Sequence, residues 1–188
     1  MADCAGLLLA AGAGRRFGGP KALVELGGEP LVRRALRALE PCSPVYVVTG
    51  AAAGEVTALL PAAVFPVHAP EWAAGMGESL RAGLSALSSV EAGAVLVHLV
   101  DLPDVTDAVV RRLTALAAPD VVARATYAGV PGHPVLLGRD HWAGIADAVS
   151  GDAGARHWLS TRNDLHLVEC GDLGGGRDVD RPEDLPPP

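Results

Sequence analysis

The run AVLVHLVD at residues 94–101 limits the fold more than any other stretch. It shows no alternation of apolar and polar residues, so it is not a strand with one face in water. It is also far too short to cross a bilayer. A short, nearly continuous apolar run of this kind reads as a strand covered on both faces, as in a parallel sheet packed between helices. AGLLLA at 5–10 has the same character. VYVVTG (45–50), AVFPVH (63–68), DVVARATY (120–127), HPVLLG (133–138) and DLHLVEC (164–170) supply further strand candidates.

Helical patterns separate these runs. Pro30 opens one over 30–40, with Leu31, Ala35 and Leu39 on one face. A short helix is expected over 54–60. Another spans 77–87, with Leu80, Leu84 and Leu87 aligned, and one starts at the N-cap candidate Thr106 and runs to 116. The segment 151–159 leads into a last helix, and the proline-rich end reads as a tail. Alternation of this kind predicts an α/β three-layer domain with a mostly parallel central sheet. The 188 residues, 49% of them apolar, show no repeat or linker, so one domain over 1–188 with a full-sized core is expected.

Charge and cysteine content narrow the function. A net charge of −7 with no basic stripe argues against a nucleic-acid partner. The start of the chain resembles neither a signal peptide nor a membrane anchor. Three widely spaced cysteines without a CxxC pair fit a reducing, cytoplasmic setting and no zinc site. Fourteen of the fifteen basic residues are Arg, and the single lysine is Lys21. Such a composition points to a coding bias toward Arg, which makes the surviving lysine informative.

Lys21 follows a glycine-rich loop, GAGRRFGGPKAL, after the first strand. Ligands of parallel α/β sheets sit beyond the carboxyl ends of the strands, and glycines let backbone N–H groups approach an anion. The loop is not a dinucleotide fingerprint. Gly12, Gly14 and Gly18 give GxGxxxG, and the second strand ends in Thr49-Gly50 instead of an acidic residue. Nor is it a Walker loop, because Pro20 intrudes before Lys21 and Ala22 replaces the magnesium-binding hydroxyl.

The run LLLAAGAGRRFGGPKAL instead resembles the signature LxAGxxxRMGxxK, with Phe17 at the methionine position. PEWAAGMGESLRAGL (70–84), VHLVDLPDVT (97–106), YAGVPGHPVLLGRDHW (127–142), GDAGARHWL (151–159) and DVDRPEDL (178–185) follow in order. Together they resemble the MocA-like group of the MobA-like nucleotidyltransferase superfamily, which includes molybdenum-cofactor cytidylyltransferases. The resemblance covers nearly the whole chain. It implies a Rossmann-like nucleotidyltransferase (GT-A-like) fold and transfer of CMP from CTP, or another NTP, to the phosphate of a molybdopterin-type cofactor. Mg²⁺ is the implied metal, and a molybdenum hydroxylase the implied client. Leu102 and Ala69 depart from the pattern, where relatives often carry Gln and Asn, which bears on base and acceptor choice.

Such a reaction brings two anions together and moves charge onto pyrophosphate, so its demands are electrostatic. Lys21 is the expected compact cation at the α- and leaving phosphates, and Arg15 the expected clamp on the outer phosphates. Leu9, Ala10, Ala11, Gly12 and Gly14 would form the nucleotide loop, with Gly75, Met76 and Ser79 toward the ribose or base. Asp101 is the expected first Mg²⁺ ligand and Asp180 the second, with Asp178 the alternative. His133, Asp152 and Arg156 would face the acceptor. Two other readings stay open: a sugar phosphate or other phosphorylated metabolite as acceptor, or a carrier that delivers the cofactor without catalysis.

Overall fold

A computed structural model describes residues 3–185; the end of the expected proline-rich tail lies outside them. The chain runs from β1 (Cys4–Leu9) through the glycine loop to a turn of 3₁₀ helix at Lys21–Leu23. It continues through β2 (Glu25–Leu26), β3 (Glu29–Pro30), α1 (Leu31–Ala38), β4 (Val45–Thr49), α2 (Ala53–Ala58) and β5 (Val64–His68). Next come α3 (Met76–Leu87), β6 (Ala94–Leu99), α4 (Asp107–Thr114), β7 (Val122–Tyr127) and β8 (Val130–Gly138). The last elements are α5 (Trp142–Ala148), α6 (Arg156–Ser160) and β9 (His166–Glu169).

Seven strands form one sheet in the order β5-β4-β1-β6-β8-β7-β9. The sheet is mostly parallel, as the sequence predicts; β8 alone runs against its neighbours β6 and β7. Alternating residues feed two apolar layers. Leu8, Val47, Leu96 and Leu136 pack with Leu31, Val32 and Ala35 of α1 and with Val109, Val110 and Leu113 of α4. Leu7, Val48, Val95 and Leu137 pack with Leu80, Leu84 and Leu87 of α3, Ile145 of α5 and Leu159 of α6. Pro66 is tolerated because β5 is an edge strand, where a missing N–H breaks no interior ladder.

Register positions the functional end. β1 and β6 pair in parallel from Cys4↔Ala94 to Leu9↔Leu99, and the Val100 N–H donates to the Leu9 carbonyl at 3.2 Å. The glycine loop and Asp101 therefore leave the sheet side by side. Thr106 caps α4, its Oγ1 accepting from the Val109 N–H at 3.4 Å and donating to the Leu173 carbonyl at 2.9 Å.

Three features differ from the sequence expectation. β8 begins at Val130, three residues before the expected start, because Val130 and Pro131 already pair with Tyr127 and Thr126 across the hairpin turn. The β2–β3 ribbon is only two residues per strand. α5 was not anticipated; its apolar face is carried by just Trp142 and Ile145.

His98 is fully buried on β6, and neither ring nitrogen has a hydrogen-bond partner among the described residues. Burial, reinforced by the nearby His133, pushes its pKa down to about 3. An unfolded histidine titrates near 6.5, so below that pH the unfolded chain binds a proton that the native state refuses until about pH 3. This contribution to stability is complete above the unfolded value and is lost as pH falls through that window. His98→Leu should raise the thermal midpoint at pH 7, since an unpaired buried polar group costs roughly 1–3 kcal/mol. It should also flatten the fall in urea midpoint between pH 6.5 and 4. A midpoint that is lower at pH 7 and just as acid-sensitive would refute this account.

Candidate functional site

The site begins with the glycine loop. Gly14 adopts a left-handed φ of +58°, and its carbonyl accepts from the N–H groups of Phe17, Gly18 and Gly19 at 2.9, 2.9 and 3.2 Å. A side chain is impossible there, because a Cβ on Gly14 would lie 1.8 Å from the Gly19 oxygen. The loop closes on itself and spends the donors of residues 17–19 internally. Residues 12–16, by contrast, have N–H groups with no acceptor among the described residues. The free donors thus lie at the start of the loop, beside exposed Arg15 and Arg16.

Leu9, Ala10 and Ala11 are buried. The Ala10 N–H donates to the Val48 carbonyl at 2.9 Å, and the Ala11 carbonyl accepts from Ala51 at 3.0 Å. These residues tether the base of the loop, and Leu9 also forms part of the cleft wall described below.

Lys21 lies at the centre of the site. Its Nζ donates to Asp101 Oδ2 at 2.9 Å and to Asp180 Oδ1 at 2.6 Å. The three residues are separated by 80 and 159 positions in the chain and meet at one nitrogen. The backbone explains how the C-terminal segment arrives there. The Val179 N–H donates to the Asp101 carbonyl at 2.9 Å, while the buried Val179 side chain anchors the segment. Asp184 Oδ2 then accepts from the Asp180 and Arg181 N–H groups at 3.0 and 2.8 Å. Sequence reasoning missed Val179 and Asp184; a carboxylate four residues beyond Asp180, next to Pro182, was the available signal.

The ion cluster sets its own protonation. Burial alone would lower the pKa of Lys21, but the hydrogen bonds its ammonium donates to Asp180 and Asp101 outweigh it and hold Lys21 above the usual lysine range. The Lys21 ammonium in turn holds Asp180 below the usual carboxylate range, with the Arg16 guanidinium 3.5 Å away adding to it. Lys21 is therefore charged throughout the neutral range. Asp178 is exposed and lines the cleft but makes no ion pair with Lys21.

Among the described residues no group of three or more His, Cys, Asp or Glu side chains is placed to hold a metal. Two carboxylates touching one nitrogen nevertheless suit Mg²⁺, which takes one or two carboxylates and completes its shell with water and phosphate oxygens. The donor set fits a metal that arrives with a polyphosphate.

Asp101, Asp178 and Asp180 line a cleft of about 350 Å³. Its apolar lining includes Leu9, Val97, Leu99, Val135 and Leu137, and His133, Asp152, Arg156 and Arg124 add polar groups. The antiparallel hairpin delivers His133 and Arg124. Glu169 staples its turn, accepting from the N–H groups of Ala128 and Gly129 and from the Thr126 hydroxyl. These bonds, with one from Gly171, hold its carboxyl down at about 2. The Tyr127 hydroxyl donates to the His133 carbonyl at 2.8 Å, fixing the other strand. Burial and the charges of Arg124 and Arg156 push His133 down to about 4, so it is neutral at pH 7.

The segments expected to touch the nucleotide and the acceptor meet directly. Gly75 has a φ of +126°, and a Cβ on it would fall 2.3 Å from the carbonyl carbon of Gly151. Exposed Met76 and Asp152 share the cleft. Ser79 is buried in α3 and is not on the cleft wall.

A doubly covered, mostly parallel sheet with free loop donors and a lysine–carboxylate cluster at its carboxyl edge defines a phosphate-handling α/β protein. Residues 6–167 match the MobA-like NTP transferase domain, and the chain belongs to that nucleotidyltransferase family. It is 37% identical to a nicotine blue oxidoreductase of Paenarthrobacter nicotinovorans, across 96% of this chain and 93% of that one. It is 33% identical to a molybdenum cofactor guanylyltransferase of Rhodobacter capsulatus, across 73% and 65% of the two chains. The crystal structure of an Rv0371c homologue from Mycobacterium sp. strain JC1 superposes with a TM-score of 0.82 at 30% identity, covering 96% and 92%. No helix among the described residues is long and apolar enough to cross a membrane.

Proposed function

We propose that the protein transfers CMP from CTP to the phosphate of a molybdopterin-type cofactor, releasing pyrophosphate. The observation that carries this reading is the meeting of Lys21, Asp101 and Asp180 beside a loop with unpaired N–H groups. Loop donors 12–16, with Arg15, would receive the outer phosphates, and Asp101 and Asp180 would hold Mg²⁺. That ion, when bound, offsets charge on the triphosphate. An oxygen of the acceptor phosphate attacks the α-phosphorus as the bond to the β-phosphate breaks, and the electron pair leaves on pyrophosphate. Lys21 stays protonated and stabilises the charge that moves. Contact with Lys21 favours Asp180 over Asp178 as the second carboxylate. The reading places the enzyme in the cytoplasm, which three free cysteines suit, with a molybdenum hydroxylase as the client of its product.

The test is pyrophosphate release from each of four NTPs with Mg²⁺, with and without molybdopterin. Release with CTP that requires molybdopterin is expected. Release that requires a different phosphorylated acceptor would redirect the reading, and none with any NTP would support a carrier. A second reading is favoured by the likeness, across 96% of this chain, to a nicotine blue oxidoreductase: oxidoreduction of nicotine blue. Bleaching of nicotine blue by a reduced nicotinamide, with no pyrophosphate release from any NTP, would establish that alternative.

A further inference from the structure

Helix α1 carries Arg33, Arg34 and Arg37, and their surroundings differ. Arg33 is exposed, and Arg37 pairs with Glu29 at 2.6 Å. Arg34 is half-buried and turned to the main chain: its Nε donates to the Pro103 carbonyl at 2.9 Å. Pro103 stands just after Asp101, in the loop that brings that carboxylate to Lys21. Every carbonyl from 101 to 104 accepts a hydrogen bond. That of Asp101 takes the Val179 N–H at 2.9 Å, that of Leu102 the Val105 N–H at 3.3 Å, and that of Asp104 the Gly175 N–H at 3.0 Å. Only the Pro103 carbonyl is served by a side chain, that of Arg34.

The same helix grips the other half of the cluster. Its first N–H, that of Leu31, donates to the Val24 carbonyl at 2.8 Å, and the Val24 N–H donates to the Lys21 carbonyl at 3.0 Å. Ala22 is buried in the layer that holds Leu31, Ala35, Leu102 and Val105. The turn bearing Lys21 and the loop bearing Asp101 are thus fastened to one rigid element, at its first residue and about one turn further on. A charged pair is held to a fixed separation only when the segments behind it are themselves fixed. Without the Arg34 bond, the carbonyl of buried Pro103 loses its donor and the loop is free to shift.

We infer that Arg34 is a positioning residue: through the Pro103 carbonyl it sets where the Asp101 carboxylate stands relative to Lys21. It acts through the main chain and lies outside the residues that line the cleft. Its part in turnover rests on the nucleotidyl-transfer reading, whereas its hold on the Lys21–Asp101 contact does not.

The experiment exploits Lys21 being the single lysine. Protein labelled with ¹³C at lysine Cε gives one methylene signal, whose shift reports what surrounds the ammonium. Arg34→Met keeps the aliphatic stem and removes the donor, and should move that signal in the direction that Asp101→Asn moves it. Arg34→Gln places an amide N–H at the same depth along the side chain as the arginine Nε, so it should restore most of the wild-type position. Arg37→Met breaks only the pair with Glu29 and should leave the signal in place. In turnover with CTP and Mg²⁺, Arg34→Met should lower kcat about tenfold, as for loss of a group that orients a metal ligand, with the CTP KM changed less than about twofold. Arg34→Gln should recover most of that rate. An unmoved lysine signal or undiminished kcat in Arg34→Met, no recovery in Arg34→Gln, or an equal change in Arg37→Met would overturn the inference. Should Arg34→Met not fold, Arg34→Leu is judged by the same outcomes. If no NTP releases pyrophosphate, the nucleotidyl-transfer reading fails, and the lysine signal alone still decides the brace.

Discussion

Lys21→Ala should lower kcat/KM for pyrophosphate release by about 10²–10³, the range seen when one preorganised electrostatic donor is removed from a site of this kind. Lys21→Arg should recover little of that loss. The ammonium is compact and approaches Asp101 and Asp180 within 2.9 and 2.6 Å in a space where its side chain is only 15% exposed. A planar guanidinium cannot fill that position without displacing one carboxylate, and it follows a changing phosphate geometry poorly. Thermal unfolding separates chemistry from folding. Lys21→Ala leaves two carboxylates facing each other with only the exposed Arg16 beside Asp180, so its midpoint should fall slightly, and Lys21→Arg, which keeps the charge, should fall less. Arginine activity near wild type would remove Lys21 from the proposed mechanism.

Asp101→Asn should cost a similar factor at saturating Mg²⁺, and Asp180→Asn measurably less. The amide is nearly isosteric and retains an oxygen for Lys21, so the difference reports charge. Ranking follows exposure: Asp101 is 21% exposed and Asp180 42%, and a more solvated carboxylate contributes a weaker field and is more easily replaced by water. Asp101 is also the better held, since it follows a strand buried along its length and accepts the Val179 N–H. Steady-state rates across a Mg²⁺ series decide the matter. Near-normal turnover in Asp101→Asn would eliminate that carboxylate as a ligand, and a larger loss in Asp180→Asn would reverse their order.

The sequence was most informative where both faces of an element are buried. β1 and β6 were legible because every position but His98 is apolar, and helices α1, α3 and α4 because their apolar spacing is regular. α5 was not, since Gly144 weakens its propensity and only two of its side chains reach the core. β2 and β3 are held by the turn between them and leave no periodic trace. In the site, Lys21, Asp101 and Asp180 were named from local motifs, and the structure adds the contact among them. Arg124 was hidden by composition. In a chain with fourteen arginines, one polar residue in a strand carries no signal until β7 is seen to border the cleft. Ser79 shows the reverse: a polar residue at a helix start reads as available in the sequence, yet its side chain is buried in α3.

The reversed direction of β8 has a consequence for how such a protein can change. Because that strand enters the sheet at the edge where the others leave it, the cleft is lined by separate pieces of chain. Leu9 of β1, the end of β6 and Asp101 belong to one set, and the β7–β8 hairpin with the segment 152–159 to the other. Exchanging the second piece leaves the first untouched. The architecture thus keeps the lysine–carboxylate cluster on one set of segments, so that grafting a hairpin would reshape the rest of the cleft and leave the cluster in place.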